Sequence, residues 1–437
     1  MRRLGRTLAL VVVAAAVPLA AGALYAAALR EGLEPANVLV RATFVLQLGF
    51  LAVLLVRYLV LLWFAFLAHL EGLHDGAGRD ALPSVSVVAP AFNEERMIDR
   101  VLASLVALDY PRYEIVVVDD GSTDATHARA SAWARRAGAV PIRVLSQRNA
   151  GKASALNLGI RAAAGELVLC IDTDSALEPS ALRAAVRHFA DPAVGAVAGN
   201  VKVVNRRNLV TWLQALEYVE GLNILRRAQA FFRLVNVVPG PLGLFRRDAV
   251  LAAGGYPTDT YAEDCDLTLL LLARGWKVHY EPKAVVWTEA PERIGALLKQ
   301  RYRWTRGMLQ ALRKRNAGLR VPGAGLGARA TFAYMTFEAV LWPAANVMTN
   351  VFFLGVAVTL GWAPIVVFWW LQLTLLDTVT AIFAIALEDE SPALVLLAPV
   401  YRVAYVLLVD VCKLLATVED VCGVAMTWGK LERLGRL

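Results

Sequence analysis

Pairs of acidic residues follow apolar stretches in the middle of this chain. Asp172 and Asp174 come directly after the apolar run 167–171. Carboxylate oxygens are preferred ligands of Mg²⁺ and Mn²⁺, and proteins often share these ions with substrate phosphates. The two aspartates therefore predict a metal-diphosphate site, although an Asp-x-Asp sequence on its own is also common in surface turns.

Asp119 and Asp120 form a second acidic pair, at the end of the apolar run 114–120. Adjacent carboxylates repel each other, so at least one needs a strong partner such as a base N–H, a ribose hydroxyl or a metal. This favours a nucleotide-binding role. The alternative, which is compatible with that role, is that Ser122 or Asp124 caps the helix that follows.

Two further groups could bind an anion or act as a base beside these carboxylates. Lys152 opens a predicted helix, where its ammonium and the backbone N–H groups would favour an anion. Glu263 and Asp264 precede an apolar helical stretch, where a carboxylate can serve as a general base. Each has a structural alternative, namely a plain helix start for Lys152 and complementation of the helix dipole for the acidic pair.

Residues 293–315 carry the last candidate group, which consists of Gln300, Arg303 and Trp304. Apolar and basic residues fall on opposite sides of a helix in this segment, which indicates an amphipathic helix on a membrane surface. Within it, Arg303 can pair with a diphosphate and Trp304 can stack on a sugar ring. Both interpretations hold together, because the segment lies between the polar part of the chain and the apolar runs.

Strands that alternate with helices must position these groups. The alternation predicts a mostly parallel sheet with helices on both faces, and ligands bind at the carboxyl ends of such strands. No P-loop and no Gly-x-Gly-x-x-Gly opens the first unit, which argues against an ATPase or a dinucleotide enzyme. The strands are predicted at 84–90, 114–120, 142–146 and 167–172, and the helices at 93–108, 123–138 and 152–165.

Long apolar runs flank this polar region in a chain of 437 residues that is 58% hydrophobic. Each approaches or exceeds the ~20 residues that cross a bilayer, and we interpret the first as a retained helix rather than a cleaved signal peptide. Arg2, Arg3 and Arg6 favour a cytoplasmic N-terminus. The runs cover residues 7–29, 42–70, 332–360, 364–387 and 393–418.

This layout predicts four parts, with the polar domain in the cytoplasm. They are two N-terminal membrane helices (1–75), an α/β domain (76–290), an amphipathic interface helix (291–330), and about three C-terminal membrane helices with a basic tail (331–437). The net charge of +8 suits an anionic membrane surface and a pyrophosphate substrate. Nucleic acid is not expected as a partner, because no aromatic-basic platform or recognition-helix pattern is present.

The acidic motifs and the Gln300 motif occur in a distinctive order. Asp-Asp-Gly-Ser at 119–122, Asp-x-Asp at 172–174, Glu-Asp at 263–264 and Gln-x-x-Arg-Trp at 300–304 follow one another. This set resembles the membrane-bound family 2 glycosyltransferases, which include cellulose, chitin, hyaluronan and poly-N-acetylglucosamine synthases. The resemblance covers about residues 84–310, and the layout of spans is most similar to the bacterial poly-β-1,6-N-acetylglucosamine synthases.

The resemblance implies a GT-A fold that uses a UDP-sugar with Mg²⁺ or Mn²⁺. It implies a growing polysaccharide and the lipid bilayer as partners, and it allows a small membrane accessory subunit. Asp264, beside Glu263, would deprotonate the acceptor hydroxyl and cause inversion at the sugar. The remaining roles would be a uridine pocket of Pro90, Asn93, Glu94, Asp119 and Asp120, a ribose-phosphate contact from Lys152, a metal-diphosphate site of Asp172 and Asp174, and an acceptor site of Gln300, Arg303 and Trp304 at the mouth of a transmembrane channel.

Three functions compete at this point. The leading one is a processive polysaccharide synthase that moves its product across the membrane, because the Gln-x-x-Arg-Trp motif and the C-terminal spans favour it. The second is a non-processive transferase that makes a glycolipid or a polyprenyl-linked sugar. The third is a transporter without transferase chemistry, which would need paired charges inside the membrane. Its candidates are Arg57, Glu338, Asp377, Arg402 and Asp410, of which Glu338 and Arg402 could instead line a glycan channel.

Overall fold

A long apolar helix precedes the polar region. The computed structural model describes residues 38–74, 82–136, 138–319, 325–360 and 364–426. Its first helix, α1 (Val38–His74), contains the segment Val45–Gly72, which is long and apolar enough to cross a membrane. This agrees with the predicted run 42–70, whereas the predicted run 7–29 lies outside the described residues.

Within the described residues, eight strands form one mostly parallel sheet. The strands are β1 (Val85–Ala91), β2 (Tyr113–Asp119), β3 (Ile142–Ser146), β4 (Leu167–Cys170), β5 (Ser175–Leu177), β6 (Val194–Val203), β7 (Gly243–Arg246) and β8 (Lys277–Thr288). Their order across the sheet is β3-β2-β1-β4-β7-β6-β8-β5. The first four strands pair in parallel, as do β6 and β8, whereas β5 and β7 are antiparallel to their neighbours.

Helices cover both faces of this sheet, as predicted. Side chains alternate along β1, so Val87 belongs to the apolar cluster that includes Ile98 on one face, and Val88 to the cluster that includes Leu156 on the other. All seven residues of β1 are buried in consequence. The helices of this region are α2 (Ile98–Val106), α3 (Thr126–Ala134), α4 (Lys152–Ala162), α5 (Ala181–Val186), α6 (Leu209–Glu217), α7 (Ile224–Phe231), α8 (Arg247–Ala253) and α9 (Glu263–Ala273).

The sheet has a topological switch point between β1 and β4. From β1 the chain continues to β2 and β3 on one side of the sheet, and it then returns to β4 on the other side. Open α/β sheets leave a crevice for ligands at the carboxyl ends of strands that flank such a point. Here the Thr173 hydroxyl donates to the Pro90 carbonyl over 3.0 Å, which joins the segment after β4 to the end of β1.

The helices that follow the last strand begin with α10 (Ile294–Leu319), which corresponds to the predicted amphipathic helix 293–315. Three segments beyond it are long and apolar enough to cross a membrane, namely Leu326–Val358, Val366–Glu388 and Pro392–Val421. The helices in this part are α11 (Leu326–Thr336), α12 (Trp342–Leu360), α13 (Pro364–Glu388), α14 (Ala398–Val400) and α15 (Leu407–Val421).

The basic face of α10 differs from the prediction. Arg301 and Arg306 are almost completely buried, because carboxylates from distant segments neutralise them. Glu217 at the end of α6 pairs with Arg301, and Asp420 in α15 lies 3.4 Å from the Nε of Arg306. The expectation of a basic face on an interfacial helix is therefore wrong for these two residues, which face protein instead.

Buried polar contacts join the apolar helices to the sheet. The Glu388 carboxylate, at the end of α13, accepts hydrogen bonds from Arg227 Nη2 at 2.7 Å and from Asn200 Nδ2 at 2.6 Å. Its side chain is fully buried. Arg227 belongs to α7, which also packs along α1, so α7 lies between the sheet and the apolar helices.

Candidate functional site

A cavity of about 600 Å³ extends from the loop after β4 to the apolar helices. Eight of the residues predicted to form the site line it, although they come from four separate parts of the chain. They are Lys152, Asp172, Asp174, Glu263, Asp264, Gln300, Arg303 and Trp304. The other five, Pro90, Asn93, Glu94, Asp119 and Asp120, are not among its lining residues and belong to β1, β2 and the residues just after them.

Lys152 connects two of the acidic motifs across this cavity. Its Nζ lies 2.6 Å from Asp172 Oδ1 and 3.0 Å from Glu263 Oε1. Burial lowers the pKa of Lys152, but the two carboxylates outweigh it and hold that pKa well above its usual value. A positive charge therefore lies between the Asp-x-Asp motif and the Glu-Asp motif and joins them across the cavity.

Gly240 lies in close contact with this charged group. A Cβ atom added to Gly240 would lie 2.8 Å from Lys152 Nζ and 2.9 Å from Asp172 Oδ2. Ordinary contacts of a Cβ atom are longer, so only glycine leaves room for the ammonium and the carboxylate in these positions. The loop that contains Gly240 therefore forms a close wall of the cavity at this point.

Asp264 lies at the start of α9 with its carboxylate in the cavity wall. Burial and then the neighbouring Glu263 carboxylate raise the pKa of Asp264 to about 6, while Lys152 and the Cys265 amide oppose that rise. The amide donates to Asp264 Oδ1 over 2.7 Å. A carboxylate with a raised pKa is suited to accept a proton near neutral pH, which is the property of a general base.

Asp120 holds the loop that leads to Lys152. Its carboxylate accepts hydrogen bonds from the backbone amides of Ala150 and Gly151, both at 2.9 Å, and from Gln147 Nε2 at 2.6 Å. Gly121 makes this close approach of two loops feasible, because its φ is +75° and an added Cβ would lie 2.8 Å from the Asn149 amide. The partner required by the acidic pair is thus present within the protein.

The other predicted nucleotide residues surround the same edge of the sheet. Asp119 Oδ1 accepts from the Ser122 amide at 3.3 Å, and Asn93, whose φ is +53°, accepts from the Thr123 amide at 2.8 Å. The Glu94 amide donates to Thr126 Oγ1. Neither Ser122 nor Asp124 occupies the N-cap position of α3, although Asp124 Oδ1 accepts from the Thr126 amide at 2.9 Å.

The motif on α10 faces the cavity from the side of the apolar helices. Gln300 is buried, and Arg301 donates to its side-chain oxygen. Arg303 lines the cavity and makes no ion pair with any described residue, so its guanidinium is available to an anion. The Trp304 ring also lines the cavity, and the Arg301 guanidinium lies over this ring, 4.2 Å from its centre.

Asp172 and Asp174 supply the donor atoms that a hard divalent cation needs. Both line the cavity, and the 2.6 Å contact with Lys152 shows that Asp172 presents an oxygen to a cation. Among the described residues no three His, Cys, Asp or Glu side chains are arranged around one point as metal ligands. The chemistry of the two carboxylates is compatible with Mg²⁺ or Mn²⁺, since such ions commonly combine one or two carboxylates with substrate phosphates and water.

Glu220 and Arg226 are two of several charged residues of the cavity wall that were not anticipated. Arg226 is buried, its Nη1 donates to Asn223 Oδ1 over a long 3.4 Å, and it has no ion pair in the described part of the chain. Glu220 is also buried, and its Oε2 has no hydrogen-bond partner there. Both belong to the segment of α6, the π-helical turn Tyr218–Asn223 and α7, and both line the cavity. The sequence feature that could have identified them is the presence of charged residues within an otherwise apolar helical stretch.

Paired charges lie at the other end of the cavity, among the apolar helices. Charged groups in membrane segments usually pair with one another and mark substrate pathways. Three such pairs occur here, and all of their residues except Asp377 line the cavity. The pairs are Arg57 with Glu338 (2.7 Å), Arg402 with Asp377 (3.6 Å) and Lys413 with Asp410 (3.5 Å).

The sheet, its carboxylates at strand ends and the acidic pair at the start of α9 define a glycosyltransferase with a GT-A fold. The chain belongs to the glycosyltransferase like family 2, whose family model matches residues 83–307. The protein is therefore an enzyme, and a transporter without transferase chemistry is the wrong interpretation of its paired charges.

Two curated relatives in this family are similar to about half of the chain. It is 34% identical over 229 residues to the poly-beta-1,6-N-acetyl-D-glucosamine synthase of Staphylococcus aureus (strain COL), which is 52% of this chain and 55% of the relative. It is 32% identical over 224 residues to the synthase of the same name from Staphylococcus epidermidis, which is 51% and 54%. The chain thus spans about half the length of the curated relatives that it matches.

A solved structure shows the same fold over a greater length. The mannosyltransferase PcManGT from Pyrobaculum calidifontis, solved in complex with GDP-Man and Mn²⁺, matches 87% of this chain and 100% of its own chain. The TM-score is 0.60 and the sequence identity is 24%, so the likeness concerns the fold alone.

Proposed function

We propose that this protein polymerises a sugar from a UDP-sugar into a β-linked polysaccharide and passes the product across the membrane. The observation that carries the proposal is the single cavity that joins Asp172 and Asp264 to the paired charges among the apolar helices. A donor site and an exit path in one cavity suit a reaction whose product grows while it leaves. The names of the relatives support UDP-N-acetylglucosamine as the donor.

In this proposal the residues have separate roles in one displacement reaction. Lys152 and Arg303 bind the diphosphate of the donor, while Asp264 accepts the proton of the acceptor hydroxyl. The acceptor oxygen then forms a bond to the anomeric carbon, the bond from that carbon to the diphosphate oxygen breaks, and UDP leaves with the electron pair. Attack opposite the leaving group inverts the anomeric carbon.

Bound Mg²⁺ or Mn²⁺, held by Asp172 and Asp174, would neutralise charge on the leaving diphosphate. Pro90, Asn93, Glu94 and Asp119 would contact the uridine, and Asp120 would hold the loop before Lys152. Gln300 and Trp304 would bind the acceptor. The donor occurs in the cytoplasm, so the α/β part would face that side of the inner membrane.

A non-processive transferase is the second candidate, and one observation favours it. The buried guanidinium of Arg226 makes no close ion pair among the described residues and donates only a long hydrogen bond to Asn223, and a buried charge without a close counter-charge is costly. An acceptor with a phosphate group, such as a polyprenyl phosphate, would neutralise it. A neutral polysaccharide would not.

The size of the product separates these two candidates. Purified protein in bilayer nanodiscs is incubated with UDP-N-acetylglucosamine and either Mg²⁺ or Mn²⁺, with UDP-glucose as the matched donor control. We expect UDP release with the first donor and a product of many sugar units. A product limited to one sugar on a lipid contradicts processive synthesis, and turnover of UDP-glucose alone contradicts the proposed donor.

A further inference from the structure

Arg301 lies inside the Gln-x-x-Arg-Trp motif but is not one of its defining residues. Its side chain is only 3% exposed. The guanidinium makes a two-point contact with the Glu217 carboxylate, with Nε 3.1 Å from Oε1 and Nη2 in contact with Oε2. Such a planar two-point pair fixes orientation as well as position.

The same guanidinium contacts both neighbouring residues of the motif. It lies 4.2 Å from the centre of the Trp304 ring, within the range of a cation–π interaction. It also donates through Nη1 to the side-chain oxygen of Gln300. Arg301 therefore sets the position of the two side chains that we assign to the acceptor.

Glu217 has a second partner, which comes from an apolar helical segment. The Tyr405 hydroxyl donates to Glu217 Oε2 over 2.7 Å. Tyr405 belongs to Pro392–Val421, one of the segments long and apolar enough to cross a membrane. Glu217, Tyr405, Arg301 and Trp304 all line the cavity, so a continuous set of contacts runs from this segment to the Trp304 ring.

We propose that Glu217, Arg301 and Tyr405 are positioning residues that hold Trp304 against the acceptor. The inference rests on the proposed acceptor role of Trp304. The carboxylate fixes the guanidinium, the guanidinium fixes the indole ring, and the tyrosine hydroxyl fixes the carboxylate from the apolar side. The proposed donor contacts use other side chains: Lys152 and Asp172 lie on other elements, and Arg303, although it also lies on α10, takes no part in the contacts among Glu217, Arg301 and Tyr405.

A double-mutant cycle tests whether Arg301 acts through Trp304. The rate of UDP release is measured at saturating UDP-N-acetylglucosamine while a β-1,6-linked N-acetylglucosamine tetramer is varied as acceptor. For Arg301→Met and for Trp304→Ala we expect the tetramer KM to rise about fivefold or more, in line with loss of a buried cation–π contact. The KM for UDP-N-acetylglucosamine stays near that of the unchanged protein.

The informative variant carries both substitutions. If Arg301 acts through the ring, Arg301→Met raises the tetramer KM clearly less once Trp304 is alanine, and the remaining rise is the part that acts through Gln300. A merely structural role would give effects that multiply, or a parallel rise in the donor KM, and either result overturns the proposal. Unchanged tetramer kinetics in Trp304→Ala alone would instead overturn the acceptor role itself, and the inference with it.

Tyr405→Phe keeps the test decisive if Arg301→Met fails to fold. It removes one hydroxyl and keeps the ring, and we expect a smaller rise in the tetramer KM that again disappears in the Trp304→Ala background. Tyr302→Phe is the matched control, because Tyr302 lies on the same helix but its hydroxyl donates to Glu419 instead. Equal effects of Tyr405→Phe and Tyr302→Phe on the tetramer KM contradict the proposal.

Discussion

Asp120 is buried and Asp264 is half-buried, and their surroundings give the two aspartates different chemistry. Asp120 accepts two backbone amides and one side-chain amide, so both of its oxygens are engaged in holding a loop. Asp264 lies in the cavity wall beside Glu263, and its pKa is raised to about 6. The first arrangement stabilises structure, whereas the second is suited to proton transfer.

The pH dependence of sugar transfer tests the assignment of Asp264. The base must be ionised to accept a proton, and its pKa is raised, so the active fraction falls as the pH drops through about 6. We expect the rate to fall roughly tenfold per pH unit below that value, as for a single essential base. If the pKa of the carboxylate were not raised, the rate would stay unchanged down to a much lower pH.

Asp264→Asn is the matching substitution at this residue. We expect it to abolish sugar transfer and to leave UDP binding nearly intact, as measured by calorimetry. Asp259→Asn is the control, because Asp259 precedes the same helix but its side chain is mostly exposed and pairs with Lys314. Full transfer activity in Asp264→Asn would remove Asp264 from the role of base.

At the scale of elements, local sequence pattern predicted much of the sheet. The first two strands were expected at 84–90 and 114–120 and occur at Val85–Ala91 and Tyr113–Asp119, because apolar runs and helical periods are properties of neighbouring residues. The contact of Arg301 with Glu217 joins residues 84 positions apart. A single sequence shows no signal for such a contact, so the buried part of α10 was mispredicted.

The loop that contains Gly240 offers a prediction at this scale. We expect Gly240→Ala to lower kcat/KM for the UDP-sugar about 10- to 100-fold, because its Cβ would displace Lys152 or Asp172 and small misplacements of binding groups have effects of that order. Steady-state UDP release measures this. Gly295→Ala is the control, since its Cβ would have no neighbour within 4 Å. Equal kinetics of the two variants would show that the site accommodates a Cβ atom at position 240 without displacing Lys152 or Asp172.

At the scale of the whole molecule, the contacts between the apolar helices and the sheet include a few buried or half-buried charges beside the apolar core. Glu388 contacts Arg227 and Asn200, while Glu390 contacts Arg206 at 2.7 Å and Lys202 at 3.2 Å. Charges at these positions are visible in the sequence. Their pairing is not, because it depends on how the chain returns to the sheet after α13.

Glu388→Gln tests this connection, because it leaves the Arg227 guanidinium buried without its counter-charge. Removing one partner of a buried pair costs about 3–5 kcal/mol, so we expect a clearly lower midpoint of thermal unfolding in nanodiscs. Asp389→Asn is the matched control, since Asp389 is exposed and its φ of +52° is one that asparagine also tolerates. Glu388 does not line the cavity, so transfer activity per folded molecule should persist at low temperature. If Glu388→Gln unfolds at the same temperature as Asp389→Asn, the connection between sheet and apolar helices does not depend on this ion pair.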